Sequence, residues 1–282
     1  MKLGLTIFLT DRVINPVRLA TEAEARGFHS LYFPEHTHIP VARNTPHPSQ
    51  GRDFDESYRR TLDPYIALAA ASAVTERILL GTGVSVIAQH DPITLAKEIA
   101  TLDLLSGGRF VLGIGYGWNR DEIADHGVDP AQRRGLVREH MLAMTELWSK
   151  EEATFEGRHV SFPPSWAYPK PPQQPRPRTL VGGRGTPALF AHIAEFADGW
   201  MPLGGSGMRE ALPLLHKAFS DLGRDPETAE VVPYGTSPTP GKLEYYRSLG
   251  ITEVVAELPG AGADEVLPVL DAFAKSYSDY LV

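Results

Sequence analysis

The segment that decides the fold runs from Ile78 to Glu122 and reads ILLGTGVSVIAQHDPITLAKEIATLDLLSGGRFVLGIGYGWNRDE. Its first part, 78–87, is rich in Val, Ile, Leu and Thr, which is typical of a parallel strand buried on both faces. The Asp-Pro pair at 91–92 then provides a helix N-cap and a first helical residue. The Gly-Gly pair at 107–108 ends that helix, because glycine adopts the left-handed conformation without a steric penalty. A second apolar run, 109–114, completes a strand, helix and strand unit, which favours a right-handed parallel crossover.

Glycines gather where these two strands deliver the chain to their carboxyl ends. Gly81 and Gly83 lie within the first strand, and Gly113, Gly115 and Gly117 lie at the end of the second. Glycine inside a strand often marks a place where a ligand or another backbone approaches closely. We therefore expect a flat ligand to lie against this part of the backbone.

The rest of the chain repeats the alternation of strand and helix. Predicted strands lie at 2–8, 30–33, 78–87, 109–114, 179–181, 199–203, 230–234 and 251–258. The helices that follow them begin near positions 16, 64, 92, 131, 187, 209, 241 and 264. Eight such units in 282 residues favour a closed parallel (β/α)8 barrel, or TIM barrel, over an open sheet. We interpret residues 1–282 as one α/β domain.

Two insertions interrupt this alternation. A polar loop, 34–61, follows the second strand and is longer than most connections, which is typical of functional or disordered loops. After the fourth helix, 153–162 alternates around a turn at Glu156-Gly157 and predicts a small hairpin. A Pro-rich run, 161–178, then favours an extended segment along the surface.

Composition excludes several classes of function. A net charge of -8 and a pI near 5.7 argue against general attraction to nucleic acid or to an anionic membrane. The absence of cysteine excludes disulfides and thiol nucleophiles. The amino end lacks a signal-peptide pattern, and the longest helix-like apolar run, 66–74, is too short to span a bilayer. We therefore expect a cytoplasmic protein that acts on a small molecule.

In a barrel of this type, ligands bind where the strands end. Few residues at these positions are acids or bases, which argues against hydrolysis by a carboxylate pair and favours a cofactor enzyme. His36 and His38 suggest a metal site, but the other strand ends supply no further ligands, so we predict none. Two interpretations of His36 remain open: it ties the long loop to the barrel rim, or it donates a proton in the pocket.

Two further groups of residues are candidates for ligand binding. Gly182, Gly183 and Arg184 precede a helix, so free amides and a guanidinium are available to a phosphate. The alternative is a tight turn whose glycines only permit close packing. Tyr116 and Trp118 follow the fourth strand and either border the ligand or pack on the rim.

At this point several motifs carry a resemblance to a known family. They are the stretch 81–122 quoted above, FEGRHVSF (155–162), PKPPQQPRP (169–177), TLVGGRG (179–185) and ADGW (197–200). Together they resemble the luciferase-like monooxygenase superfamily and, within it, the branch that uses the deazaflavin coenzyme F420. The similarity covers most of the chain to about Trp200 and fades beyond Leu222.

The resemblance implies specific roles. A non-proline cis peptide at a bulge in the third strand, here between Gly83 and Val84, supports the deazaflavin ring. Gly115, Tyr116, Gly117 and Trp118 border it, and Gly182, Gly183 and Arg184 hold the phosphate. Glu35 and His36 occupy the place of an acid-histidine pair that serves catalysis. A related sugar-phosphate dehydrogenase has a proton-transferring glutamate where this chain has Trp118, so that substrate is not carried over.

We therefore expect an oxidoreductase that transfers a hydride between coenzyme F420 and a small organic substrate. Alternatives are an FMN-dependent monooxygenase fed by a separate reductase, and a flavin-binding protein without catalytic activity. Arg176 or Arg178 is expected to help Arg184 to bind the acidic tail of the coenzyme. The 34–61 loop would select the substrate, and apolar crossover helices favour a homodimer.

Overall fold

The computed structural model describes residues 1–48, 51 and 54–282. Its strands are β1 (Lys2–Thr6), β2 (Ser30–Phe33), β3 (Leu79–Thr82), β4 (Ser85–Val86), β5 (Phe110–Gly115), β6 (Ala153–Glu156), β7 (Ser161–Ser165), β8 (Arg178–Gly182), β9 (Gly199–Met201), β10 (Glu230–Val231) and β11 (Glu253–Glu257). Apart from the β6-β7 pair, these strands belong to one parallel sheet in the order β10-β9-β8-β5-β3-β2-β1-β11, with β4 beside β5.

The two ends of this sheet meet. Val255 N donates to Pro233 O at 2.9 Å, and Thr236 N donates to Val255 O at 3.0 Å. These bonds join the chain just after β10 to β11, so the sheet closes on itself. The predicted (β/α)8 TIM barrel is confirmed, with β3 and β4 as two pieces of its third strand.

The helices are α1 (Pro16–Ala25), α2 (Pro64–Ser72), α3 (Pro92–Leu105), α4 (Arg120–Asp125), α5 (Arg133–Ser149), α6 (Pro187–Phe196), α7 (Met208–Asp221), α8 (Pro240–Ser248) and α9 (Ala263–Ser276). Five of them begin with a side-chain cap followed by proline; the capping residues are Asn15, Asp63, Asp91, Thr186 and Thr239. Each cap satisfies one amide that the first helical turn leaves without a partner. None of the helices in the described ranges is long and apolar enough to cross a bilayer.

The third strand differs from the prediction, because it is broken rather than continuous over 78–87. β3 ends at Thr82, β4 spans two residues, and a 3-10 turn follows at Ile87–Gln89. The Glu35 carboxylate accepts from Val86 N at 2.6 Å and from Ser85 Oγ at 2.8 Å. A side chain therefore satisfies a backbone amide that a regular ladder would otherwise have used.

The insertion after the fourth barrel helix, α5, packs on the barrel. β6 and β7 form the predicted antiparallel hairpin, which continues beyond the expected end to Ser165. Gln173, in the Pro-rich segment, donates through Nε2 to Asp103 Oδ1 and to Phe110 O, both at 2.7 Å. The segment is thereby tied to α3 and to the start of β5.

Inside the barrel, alternate residues of each strand point inward and form layers. At the amino ends of the strands, Glu253 accepts from Ser30 Oγ at 2.6 Å and from Arg178 at 2.8 Å. Arg176 forms an ion pair with Asp198, just before β9. The expectation that Arg176 or Arg178 helps to bind a ligand at the carboxyl ends is therefore wrong, because both pair with acids at the opposite end.

Candidate active site

A cavity of about 480 Å³ opens at the carboxyl ends of the strands. It is lined by nearly all of the residues that the sequence suggested, namely Glu35, His36, Gly83, Val84, Gly115, Tyr116, Gly117, Trp118, Gly182 and Gly183. Arg184 is exposed and lies outside this lining. Volume and position fit a ligand of cofactor size at the catalytic face of a TIM barrel.

The floor of this cavity is formed by the break in the third strand. The peptide between Gly83 and Val84 is cis, as expected. A Cβ on Gly115 would lie 2.6 Å from Val84 Cγ2, and one on Gly83 would lie 2.5 Å from the Tyr234 ring. The two glycines therefore admit neighbouring side chains, so a flat ligand here would meet Val84 and Tyr234 as well as backbone.

Glu35 lies beneath the floor, and its side chain is 2% exposed. Besides Ser85 and Val86, it accepts from His90 Nε2 at 2.8 Å. Burial acts to raise the pKa of Glu35, but the hydrogen bond and charge of His90 and the bonds from Val86 and Ser85 outweigh it, so the pKa lies below its ordinary value. Glu35 holds the broken strand and the following turn in position.

His36 bonds to a carboxylate that the sequence did not indicate. Its Nδ1 lies 2.8 Å from Glu122 Oε2, and the two side chains are 7% and 1% exposed. A carboxylate accepts only, so Nδ1 carries the proton in this pair and Nε2 remains available. Nε2 has no hydrogen-bond partner among the described residues. Glu35 and His36 therefore do not bond to each other, because Glu35 bonds to His90 and His36 bonds to Glu122.

The short helix α4 holds the long loop over the cavity through its acidic residues. Glu122 Oε1 accepts from Thr37 N at 3.1 Å, and Asp121 accepts from Asn44 N at 3.1 Å and Thr45 N at 2.9 Å. Asp125 lies 3.0 Å from His38 Nε2. We call this set of contacts the α4 clamp. Nothing in the sequence marks these carboxylates as partners of the 34–61 loop, so their role was not predicted.

Aromatic rings connect the loop to the barrel rim. Trp118 lies edge-on to His47 at 4.8 Å between ring centroids, and to Phe54 at 5.8 Å. Tyr58 OH lies 3.0 Å from His47 Nε2, and burial raises the pKa of Tyr58 to about 12. Trp118 therefore packs on the rim while it also lines the cavity, which combines the two interpretations left open for it.

Arginines at the start of α4 and α5 form a second feature that the sequence did not reveal. Arg133 and Arg134 line the cavity, and Arg133 Nε is buried without a hydrogen-bond partner among the described residues. Burial, and then the charges of Arg120 and Arg134, lower the pKa of Arg133. None of these three arginines forms an ion pair within the part of the chain that the structure describes. Such a cluster suits an anionic ligand.

The turn after β8 adds backbone groups to the same region. Gly183 has φ 142°, a conformation that side chains with a Cβ rarely adopt, and its carbonyl accepts from Trp200 Nε1 at 2.8 Å. Thr186 caps α6 by accepting from Leu189 N. Within the described ranges no group of three or more His, Asp or Glu could hold a metal ion.

The structure is that of a TIM-barrel protein with a cavity of cofactor size at the carboxyl ends of its strands. Comparison of the sequence identifies its family. The model of the luciferase-like monooxygenase family matches residues 10–237. The chain belongs to this family, whose members are oxidoreductases.

Three proteins illustrate what the chain is similar to in sequence or in fold. An uncharacterized protein of Mycobacterium tuberculosis is 47% identical over 277 residues, which cover 97% of this chain and 98% of the relative. The F420-dependent glucose-6-phosphate dehydrogenase of Kineococcus radiotolerans is 29% identical over 212 residues, 73% of this chain and 58% of that protein. The solved structure of an F420-dependent secondary alcohol dehydrogenase, with an F420-acetone adduct, superposes with a TM-score of 0.77 at 16% identity, covering 100% and 99% of the two chains.

Proposed function

We propose that this protein transfers a hydride between the deazaflavin coenzyme F420 and a small organic substrate. The observation that carries the proposal is that one cavity combines two features: arginines that form no ion pair with the described residues, and a histidine that a buried carboxylate holds in one orientation. The names of the Kineococcus relative and of the superposed alcohol dehydrogenase support the choice of coenzyme.

The residues fit the anionic part of such a coenzyme. Arg133 has a buried Nε without a hydrogen-bond partner among the described residues, and Arg134 lies 5.4 Å from the centre of the Tyr116 ring. No acid in the described ranges forms an ion pair with either side chain. A phosphate or carboxylate beside them would relieve the mutual repulsion of Arg120, Arg133 and Arg134. Gly182 and Gly183 would offer backbone amides to the same group.

The coenzyme, when bound, supplies the hydride carrier, whereas the protein must handle the accompanying proton. His36 is suited to that task, because Glu122 fixes its Nδ1 and leaves Nε2 available in the cavity. The loop held by the α4 clamp would limit the access of water. Glu35 would act as a positioning residue for the floor, since its oxygens already accept from Ser85, Val86 and His90.

Titration of the purified chain with coenzyme F420 and with FMN tests the proposal, with tryptophan fluorescence and calorimetry as readouts. We expect tighter binding of the deazaflavin. Arg133→Gln should weaken its binding by about 10- to 100-fold, because a charge-assisted hydrogen bond contributes about 1.5 to 3 kcal/mol. Arg184→Gln is the matched control and should change the affinity little, since Arg184 lies outside the cavity lining.

Two results would contradict the proposal. Micromolar binding of FMN without binding of the deazaflavin would favour the monooxygenase alternative. If Arg184→Gln weakens binding more than Arg133→Gln does, the phosphate is bound by the turn at 182–184, as expected from the sequence, and not by Arg133 of α5.

A further inference from the structure

We propose that Glu257, with the rings of Phe8 and Tyr58, forms a substrate subsite that binds a protonated amino group. This inference deepens the function proposed above and rests on it for the position of the coenzyme. The subsite occupies a second cavity of about 330 Å³, which shares Phe8 and Tyr58 with the larger one. An ammonium group held there would place the rest of a small substrate next to the cofactor cavity.

The alternation of β11 fixes where Glu257 points. Glu253 reaches Arg178 inside the barrel, and Val255 belongs to the cluster of apolar side chains in the barrel interior. Glu257 follows at the same period of two, so it points to the same side at the open end. β1 and β11 are paired with Thr6 opposite Glu257, which places Phe8 at the adjacent exit.

The Glu257 carboxylate has no hydrogen bond or ion pair within the described part of the chain. The two arginines in the same cavity are already engaged: Arg12 lies 3.2 Å from Glu56, and Arg60 lies 3.2 Å from Asp11. Glu257 is exposed at the mouth of the cavity, and partial burial of its carboxylate raises its pKa. An ammonium group in the cavity would pair with this charge.

The walls of this cavity also suit a cation. The rings of Phe8 and Tyr58 lie 4.7 Å apart at an angle of 42°, and both residues line the cavity. Burial, and then the charge of Glu257, raise the pKa of Tyr58 to about 12, so the phenol stays neutral. A carboxylate beside aromatic faces is the arrangement that binds alkylammonium groups, through charge pairing and cation-π attraction together.

The charge of this subsite also opposes a phosphate ester. In the larger cavity, Arg133 and Arg134 form no ion pair with the described residues, whereas Glu257, at the end of β11, is an acid. A substrate with an anionic group would meet repulsion from Glu257. The substrate class that fits is a small amine whose oxidisable or reducible carbon lies a few bonds from the nitrogen.

Binding of three ring compounds of matched size tests this inference on the full chain without coenzyme. The probes are cyclohexylamine, cyclohexanol and cyclohexanecarboxylate at pH 7, measured by tryptophan fluorescence and calorimetry. We expect the amine to bind more tightly than the other two. Glu257→Gln should weaken the amine at least 10-fold and leave cyclohexanol unchanged. Glu244→Gln, which removes an exposed charge on α8, is the control and should leave all three unchanged.

Equal binding of the three probes, or an amine affinity that survives Glu257→Gln, would overturn the inference. Melting temperatures of both variants show whether they are folded, and Glu257→Asp, which keeps the charge, should retain part of the amine binding. Titration of the same proteins with coenzyme F420 separates the two proposals. If the wild-type chain fails to bind the coenzyme but shows the expected amine preference, only the proposed function fails.

Discussion

The two halves of the barrel mouth differ in what their strands carry at the inward positions. In the half formed by the third strand, β5 and β8, these positions are Gly83, Gly115 and Gly182. In the half that includes β1 and β11, and the chain leaving β10, they are Phe8, Tyr234 and Glu257. The first half, which we call the glycine half, leaves space for a ligand because its inward positions have no side chains. The other half supplies aromatic rings and a carboxylate. We infer that the first determines whether a flat coenzyme fits, and the second which substrate meets it.

The halves are not independent, because Tyr234 crosses from one to the other. Its ring fills the space that a Cβ of Gly83 would take, and its hydroxyl lies 2.5 Å from Thr6 Oγ1 on β1. Burial raises the pKa of Tyr234, so the hydroxyl remains protonated and can donate this bond. A change in either half is therefore transmitted to the other through this ring.

The largest effect is expected from a substitution of His36, a residue of the 34–61 loop that lines the cavity between the two halves. His36→Ala should lower turnover by about 10²- to 10⁴-fold, because a proton donor is lost, while coenzyme affinity stays nearly intact. Turnover, coenzyme affinity and melting temperature are measured on one preparation. Normal turnover with a depressed melting temperature would mean that His36 only ties the loop to the rim.

The glycine half is tested next by Gly113→Ala in β5. The new Cβ would lie 2.0 Å from the Thr82 carbonyl oxygen, a backbone atom that cannot move alone. We expect the free energy of unfolding in urea to fall by about 1 to 3 kcal/mol. Gly135→Ala in α5 is the control, since no atom of the described residues lies within 4 Å of its Cβ position, and it should stabilise the protein by about 0.5 to 1 kcal/mol. Similar effects of the two substitutions would show that close packing does not require glycine in this half.

The smallest effect concerns the pair beneath the floor, Glu35 and His90. The pKa of Glu35 is lowered in the folded protein. The ionised Glu35 therefore stabilises the fold when the pH is above the ordinary pKa of a glutamate, and this contribution is lost as the pH falls. The Glu35 hydrogen bond and charge outweigh burial and raise the pKa of His90, so its stabilising effect is present below about pH 6.5 and is lost as pH rises. His90→Gln should therefore cost most near pH 5.5, about 1 to 2 kcal/mol, and less at pH 8.

Urea unfolding of wild type and variant at the two pH values measures this difference. His38→Gln is the control, because its pair with Asp125 is exposed, at 41% and 57%, and contributes little at either pH. A cost of His90→Gln that stays constant from pH 5.5 to 8 would show that the ring is held by packing rather than by charge.

Local patterns were sufficient to predict the barrel. An Asp-Pro or Asn-Pro cap before an apolar helix, and apolar runs bounded by glycine, act within a few residues, so they can be recognised in one sequence. The residues of the third strand alone did not predict the break after Thr82, because it depends on the carboxylate of Glu35, 50 positions away from Ser85. The family resemblance did imply an irregularity here, through the cis peptide between Gly83 and Val84. The residues of 78–87 are good strand formers whether or not that carboxylate is present.

The candidate site was predictable where it depends on the exits of the strands. His36, Val84 and Trp118 line the cavity because each follows a strand. The partners were not predictable, since Glu122 meets His36 across 86 positions, at a distance that only the closed barrel determines. The same holds for Glu35, whose partner His90 lies 55 positions further along the chain.

The α4 clamp has a consequence for the diversification of such enzymes. At Thr37, Asn44 and Thr45 the carboxylates of α4 accept from backbone amides, so these contacts survive exchange of the loop side chains for any residue except proline. The side chains of this part of the loop can therefore change during evolution while its backbone stays bound to α4. A library randomised at the side chains of residues 37–45 and constant in Asp121 and Glu122 would therefore explore new substrates without loss of these backbone contacts.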